Sequence, residues 1–405
     1  MNVAIFTDND FTKVNGVTTT LRAVLDHTPS DIRARVYTCQ DRACDTPTYL
    51  AMAARGIGIP FYREMKMYVP PLGRLARAAM DEKIDLIHLT TPGPVGLAAM
   101  YVASRMGAPI VGSFHTDLAA YTRLLSGSPA LGRLMQQYMR WPYGKCQQVL
   151  APSDATCNTL VDSGIRRDRL RVWRRGVSAQ QFSPEKRSSG LRSRWGVSDA
   201  CAALLYVGRL SREKGLDALP QISIGLRLLG LQHVWIIVGD GPMRAELTER
   251  CADAVFTGTL DASGVASTMA SADAFVFPSR TDTAGNVVLE AQASGLPVLV
   301  TDAGGPRENI VDGQTGFICP DAPAFTRQLQ GLVSNPERRA TIARHARAYA
   351  ETRSWPRALE PLFDAYREVA ADATPRVTLP VWAPRRAEVR LRPSFKPSVP
   401  SIFQG

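Results

Sequence analysis

No stretch of this 405-residue chain approaches 18 uninterrupted apolar residues, so a transmembrane helix is not expected. The seven cysteines (Cys39, Cys44, Cys146, Cys157, Cys201, Cys251 and Cys319) never fall in CxxC spacing. Scattered thiols of that kind suit a reducing compartment and give no zinc site. The opening MNVAIFTDND has no basic segment followed by a long apolar run, and reads as a first strand rather than a secretory leader. No GxGxxG follows that strand, so the dinucleotide fingerprint is missing. No Asp-x-Asp of the metal-binding kind stands out, nothing marks a Schiff-base lysine, and no repeat of fixed short period is visible. Neither a helix-turn-helix pattern nor an aromatic-interleaved RNA motif is present, so nucleic acid is not an expected partner. With hydrophobic residues at 45% and charged residues at 21%, wholesale disorder is excluded.

What is present is a moderate excess of positive charge, +11 overall, unevenly spread. Residues 374–405 hold five Arg, one Lys and the single acid Glu388, a net of +5, with six prolines. That tail is expected to be extended, a basic arm for a membrane or partner. Thr122 to Lys145 carries Arg123, Arg133, Arg140 and Lys145 without an acid, and Ser163 to Trp195 has ten basic residues against Asp168 and Glu185. Such runs can face nucleic acid, an anionic membrane or a phosphorylated substrate, and charge alone does not choose among these.

Short apolar runs alternate with helical-length segments. The runs in the first half include Asn2–Asp8, Asp85–Leu89, Pro109–His115 and Gln148–Ala151; those in the second are Ala203–Val207, Val234–Val238, Ala274–Phe277 and Pro297–Thr301. Near-continuous apolar strands between helices predict parallel sheets covered on both faces. The pattern restarts after a polar, basic connector around Ser183–Ser198, which predicts two doubly wound domains with a ligand crevice at the strand carboxyl ends. Three further helices are expected near Ala324–Val333, Pro336–Glu351 and Pro356–Asp372.

Three segments at those strand ends could carry chemistry. Asn15-Gly16-Val17 opens a helix, where a glycine lets backbone N–H groups approach an anion. Arg209 and Lys214 leave a strand toward a helix start, a placement that aims two cations at a diphosphate. In PSRTDTAGNVVLEAQASGLPVLVTDAGG, from Pro278 to Gly305, Asp282 precedes Glu290 across a Gly285-Asn286 hinge. The N–H groups of Gly285, Asn286 and Val287 would point with the helix dipole at a phosphate. Carboxylates accept hydroxyls well, so Glu290 suits a ribose and Asp282 a sugar.

Asn15-Gly16-Val17, SFHTD at 113–117, YVGRLSREKG at 206–215, IVGDGP at 237–242, FTGTL at 256–260 and PSRTDTAGNVVLEAQASGLPV at 278–298 run in one order over about 350 residues. In that order the chain resembles the retaining family 4 glycosyltransferases. Thr281-Asp282-Thr283, with Arg140-Trp141 and Ala151-Pro152-Ser153, resembles a narrower branch of GDP-mannose-dependent α-mannosyltransferases and sulfoquinovosyl-diacylglycerol synthases. The resemblance implies an α/β GT-B fold, two Rossmann-like doubly wound domains facing across a cleft. An acceptor-binding domain would occupy residues 1–185 and a nucleotide-sugar domain 186–355, with a helix at 356–373 crossing back and the tail at 374–405.

The resemblance also implies roles. Gly16 would meet the donor diphosphate, Arg209 and Lys214 would neutralise it, and His115 would contact a sugar hydroxyl. Glu290 would take the ribose, Asp282 stands for the first acid of an E-x7-E motif, and Asp240 with Gly241 would line the base side. Asp282 is shorter than the commoner Glu, and Ala284 stands where an aromatic is usual, which leaves the donor sugar open.

The expected activity is therefore metal-independent, cofactor-free hexosyl transfer from a nucleotide sugar, best GDP-mannose, to a lipid or glycolipid. A UDP-glucose or UDP-sulfoquinovose donor, a soluble acceptor, and a non-catalytic binder of nucleotide sugars are the alternatives. Arg63–Arg77 and Leu131–Tyr143 mix cations with Met, Tyr, Trp and Leu, as segments lying on an anionic bilayer do. The competing reading makes Leu131, Leu134, Tyr138 and Trp141 one helix's core face. The expected location is cytoplasmic, with the inner face of the cell membrane as a candidate peripheral site.

Overall fold

The computed structural model describes residues 1–59, 62–198 and 201–373; the Pro-rich basic tail lies outside them. The first half holds β1 (Asn2–Phe6), β2 (Arg33–Gln40), β3 (Cys44–Asp45), β4 (Tyr49–Ala53), β5 (Gly56–Ile59), β6 (Tyr62–Tyr68), β7 (Leu86–Leu89), β8 (Ile110–Ser113), β9 (Gln148–Ala151) and β10 (Leu170–Val172). Eight of these form one sheet in the order β10-β9-β8-β7-β1-β2-β4-β3, parallel except at the β3–β4 pair. β5 and β6 form a separate antiparallel pair.

The second half holds β11 (Ala202–Val207), β12 (His233–Val238), β13 (Val255–Gly258), β14 (Ala274–Phe277), β15 (Val298–Val300) and β16 (Gly316–Ile318). All are parallel, in the order β13-β12-β11-β14-β15-β16. That is the doubly wound dinucleotide-domain order, whose crevice opens where the order reverses, between β11 and β14. The first sheet reverses between β1 and β7. The fold is GT-B, two Rossmann-like halves, as the sequence motifs imply.

Alternation along each strand explains the burial. Val3 and Ile5 of β1 pack in one core with Leu21 and Val24 of the helix Gly16–Asp26 and with Leu359, Leu362 and Tyr366 of the helix Trp355–Ala371. Ala4 and Phe6 face the opposite core, with Leu75 and Ala79 from Leu72–Asp81 and Val95 and Ala99 from Pro94–Met106. A strand flanked by helices on both sides has no solvent face, hence the unbroken VAIF, LIHL and QVLA. The last helix therefore covers the first sheet. It is also tied there by Arg171 to Glu368 at 2.7 Å and Arg367 to Asp31 at 3.0 Å.

Some expectations need correction. β1 ends at Phe6 and leaves Asp8 in a loop. β2 escapes the apolar-run criterion because RARVYTCQ enters the sheet exposed and is fully buried only from Val36. The basic run 163–195 is not one patch. Arg166 pairs with Asp168, Arg171 with Glu368, Arg174 with Asp154, and Arg187 and Arg192 with Asp273, while Arg175 is buried. The four residues Leu131, Leu134, Tyr138 and Trp141 do not form a core face. All four are exposed on the helix Pro129–Tyr143, which buries Gly132, Met139, Pro142 and Tyr143 instead.

Candidate active site

The strand ends of both halves converge. After β1, Asp8 is held by the loop that follows β7: Thr91 Oγ1 donates to its carboxylate at 2.8 Å, Gly93 N at 2.9 Å and Val95 N at 2.7 Å. Asp8 and Asp10 stand in Asp-x-Asp spacing after all, but Asp10 accepts from Thr12 N at 3.0 Å and Thr12 Oγ1 at 2.6 Å. Both carboxylates are thus engaged in shaping loops. The next helix starts at Gly16. Asn15 caps it, accepting from Val17 N at 2.9 Å and Thr18 N at 3.0 Å, while Thr18 Oγ1 accepts from Asn15 N. This reciprocal cap fixes where the helix begins and leaves Gly16 exposed.

The second half supplies the charged groups. β11 ends at Val207, and Arg209 follows, its carbonyl accepting from the Tyr206 hydroxyl at 2.9 Å. A short 3₁₀ turn, Arg212–Lys214, brings Lys214 back over the strand ends. Its terminal Gly215 has φ +67, and an added Cβ would lie 2.4 Å from the Pro278 carbonyl oxygen, so only glycine fits there. Lys214 Nζ donates to Asp282 Oδ1 at 2.8 Å and Oδ2 at 2.9 Å, both side chains keeping under a fifth of their surface. Burial alone would lower the lysine's pKa; the Asp282 carboxylate outweighs it, helped by Tyr206 and Glu213, and the net direction is up. The sequence puts these residues 68 apart, and no spacing rule joins them.

Gly285, at φ +68 and with Pro306 close behind it, is the N-cap of the helix Asn286–Ala293. The cap has no side-chain hydrogen bond, so the first main-chain N–H groups of the helix are left without a capping side chain. Asn286 Nδ2 reaches Gly16 O and Thr20 Oγ1 of the other half, each at 3.4 Å. Glu290 lies on this helix, partly buried, with no hydrogen bond to its side chain among the described residues. Burial pushes its carboxyl up to about 7. Asp240 and Gly241 pack against the loop that carries Arg209, the Asp240 carbonyl accepting from Leu210 N at 2.9 Å. Asp240 pairs with Arg244 at 3.1 Å and accepts from Gly241 N at 2.8 Å, at the exposed end of β12.

His115 forms the facing wall. Its backbone carbonyl accepts from Thr283 Oγ1 at 2.6 Å, a bond across the cleft to the residue beside Asp282. Its ring is already engaged: Nδ1 lies 3.2 Å from Arg175 Nη2 and Nε2 lies 2.8 Å from Ser113 Oγ. Burial, then the charge of Arg175 and the neighbouring His88, lower its pKa well below the usual value. The imidazole is therefore neutral and not poised to exchange protons near pH 7.

Sequence reasoning missed this support, and missed Glu308. The Glu308 carboxylate accepts from Asp154 N at 2.9 Å and Ala155 N at 2.8 Å, at the start of the first-half helix Asp154–Asp162. Arg174 bridges Asp154 and Glu308. A carboxylate at a helix N-terminus is favourable electrostatically, so this is a clasp between the halves. Among the described residues no three His, Cys, Asp or Glu side chains converge as a metal-holding group.

Residues 14–181 match the family described as Glycosyltransferase Family 4, and residues 202–335 match Glycosyl transferases group 1. The chain is 34% identical over 385 residues to a GDP-mannose-dependent alpha-mannosyltransferase of Mycobacterium tuberculosis, covering 92% of this chain and 98% of that protein. It is 31% identical to the sulfoquinovosyl transferase SQD2 of Arabidopsis thaliana, covering 75% of this chain and 60% of that one. Among solved structures it resembles Anabaena Alr3699/HepE in complex with UDP-glucose, with a TM-score of 0.71 at 21% identity, covering 91% of this chain and 100% of that one.

Proposed function

The chain belongs to the family 4 glycosyltransferases, and from that premise we propose that it moves an α-mannosyl unit from GDP-mannose to a lipid or glycolipid acceptor. The observation that carries the reading is the meeting of the Lys214–Asp282 pair, the open start of the helix Asn286–Ala293 and the Gly16 and His115 loops in one cleft. The near full-length likeness to a protein named for GDP-mannose supports that donor. In this reading the second half takes the nucleotide sugar and the first half the acceptor.

Transfer proceeds with retention, by front-face displacement. The acceptor hydroxyl bonds to the anomeric carbon from the side on which the bond to the diphosphate breaks. The departing phosphate oxygen takes the hydroxyl proton. Charge on that leaving group is what must be stabilised, and Lys214, Arg209, the helix start at Gly285–Val287 and the Gly16 N–H are preorganised donors for it. No metal is needed, because two cations supply the charge. A diphosphate entering the cleft draws Lys214 from Asp282, which frees that carboxylate to accept a sugar hydroxyl. Glu290 accepts the ribose hydroxyls.

The acceptor side is read from the first half. Leu131, Leu134, Tyr138 and Trp141 lie on one exposed helix face, with Leu124 on the preceding helix Leu118–Ser126 and exposed Arg123, Arg133 and Arg140 on the same two helices. Exposed apolar side chains on helices that also carry exposed cations suit an anionic bilayer surface, where a lipid acceptor would be met. No helix among the described residues is long and apolar enough to cross a membrane. The test combines the purified protein with a panel of GDP- and UDP-sugars and a cellular lipid extract, and reads products by mass spectrometry. A hexose added to a lipid from GDP-mannose alone is the expected result. Transfer only from a UDP-sugar, or only to a soluble acceptor, overturns the corresponding half of the proposal.

A further inference from the structure

Behind His115 a continuous line of hydrogen bonds runs through the first sheet to the last helix. Arg175 Nη2 meets His115 Nδ1 at 3.2 Å, His115 Nε2 meets Ser113 Oγ at 2.8 Å, and Ser113 Oγ meets His88 Nε2 at 2.7 Å. His88 Nδ1 then meets the Tyr366 hydroxyl at 2.6 Å. Ser113, His88 and Tyr366 are wholly buried, and Arg175 is 3% exposed. The residues come from β7, β8, the segment after β10, and a helix 278 positions from His88 in sequence.

The direction of the line is set at one end. A guanidinium has only donors, so His115 Nδ1 must accept, and the ring proton must sit on Nε2 and point at Ser113. Arg175 is itself held, donating from Nη1 to the Trp173 carbonyl at 3.1 Å and lying over the Trp173 ring at 4.3 Å. The Trp173 ring also stands edge-on to His115 at 5.9 Å. Beyond Ser113, either tautomer of His88 completes the line to Tyr366. A polar line of this depth left incomplete would be costly, which is why a single rotamer and tautomer of His115 is selected.

We propose that Arg175 fixes His115 as its neutral Nε2–H tautomer and that Ser113, His88 and Tyr366 are positioning residues that hold the ring in that orientation, so that the helix Trp355–Ala371 sets the geometry of the cleft wall. The inference rests on the reading of the cleft as the transfer site. It assigns His115 a fixed wall whose backbone carbonyl contacts the Asp282 loop through Thr283, and it assigns the last helix more than a packing role. In this role the His115 ring is held at both nitrogens and serves to shape the wall rather than to move a proton.

The test uses the full chain labelled with ¹⁵N-histidine and reads imidazole tautomers by long-range ¹H–¹⁵N correlation. The chain has five histidines, so His115→Asn and His88→Asn assign the two signals. Wild-type His115 is expected to carry its proton on Nε2 only. Arg175→Met should convert His115 to a tautomer mixture. Tyr366→Phe, which keeps the ring and removes one buried partner, should shift the His88 signals and lower kcat about fivefold with the donor KM unchanged, the scale of one lost hydrogen bond. A wild-type His115 protonated on Nδ1 overturns the proposal. So does a Tyr366→Phe protein that loses thermal stability while its His88 signals and kcat stay in place. A protein with the expected tautomer that transfers no sugar refutes the transferase reading instead, and leaves the positioning line intact.

Discussion

Glu290 offers the sharpest quantitative prediction, because a partly buried carboxyl with no hydrogen-bonding partner among the described residues should make the protein's stability depend on pH. Its pKa is pushed up by burial from 4.5 to about 7. Between those values the native state binds a proton that the unfolded chain has released, so unfolding loses free energy as pH rises through that window. At 1.36 kcal/mol per unit the full effect is about 3 kcal/mol, present as a deficit above pH 7 and absent below pH 4.5. About 2 kcal/mol of it develops between pH 5.5 and 8.5. Glu290→Gln has no charge to bury and should escape the loss. Urea unfolding of both proteins across that range should show the variant gaining on wild type steadily with pH. A difference that stays within about 0.5 kcal/mol from pH 5.5 to 8.5 would mean an ordinary, solvated carboxylate, and would refute the reading of Glu290 as a desolvated group waiting for donor hydroxyls. The same logic predicts tighter donor binding as pH rises through 7, a dependence that Glu290→Gln should flatten.

Lys214→Ala should lower kcat by about 10²-fold or more, the scale of removing one preorganised donor, whereas EDTA should leave the wild-type rate unchanged; a fall under threefold, or strict need for a divalent cation, contradicts the leaving-group account. Glu308→Gln should loosen the clasp between the halves by about 1 kcal/mol, seen as faster proteolysis within the 183–198 connector and a larger radius by small-angle scattering. Identical cleavage rates would show that the clasp contributes nothing. Leu134→Glu combined with Trp141→Glu removes two exposed side chains and should abolish flotation with anionic vesicles without lowering the unfolding temperature; undiminished flotation would place membrane contact elsewhere.

The legibility of this molecule in its sequence divides along the chain. Gln148–Ala151 and Ala274–Phe277 are read to the residue because strands covered on both faces keep their inner positions apolar, with Gln148 the one polar residue, at the edge of its run. β2 is not, since its outer end is exposed and charged. Motif residues such as Lys214 and Asp282 are legible as candidates, but their pairing depends on how two loops return to one strand edge. Arg175 hides in a basic run that reads as surface, and only its buried place over Trp173 separates it from Arg174 beside it. Tyr366 carries no local signal at all. Its meeting with His88 is a product of the last helix crossing back, which no periodicity encodes. The exposed Leu131–Trp141 face shows the reverse limit, since helical spacing of apolar residues is the same whether the face is covered or bare.

The most direct measurement is calorimetric titration of the full chain with GDP-mannose and UDP-glucose, without divalent metal, alongside Lys214→Ala and Glu290→Gln. The account predicts one site per chain, tighter for the GDP-sugar, and weakened at least tenfold by either substitution. Binding that needs a metal, prefers UDP-glucose, or survives both substitutions would contradict it.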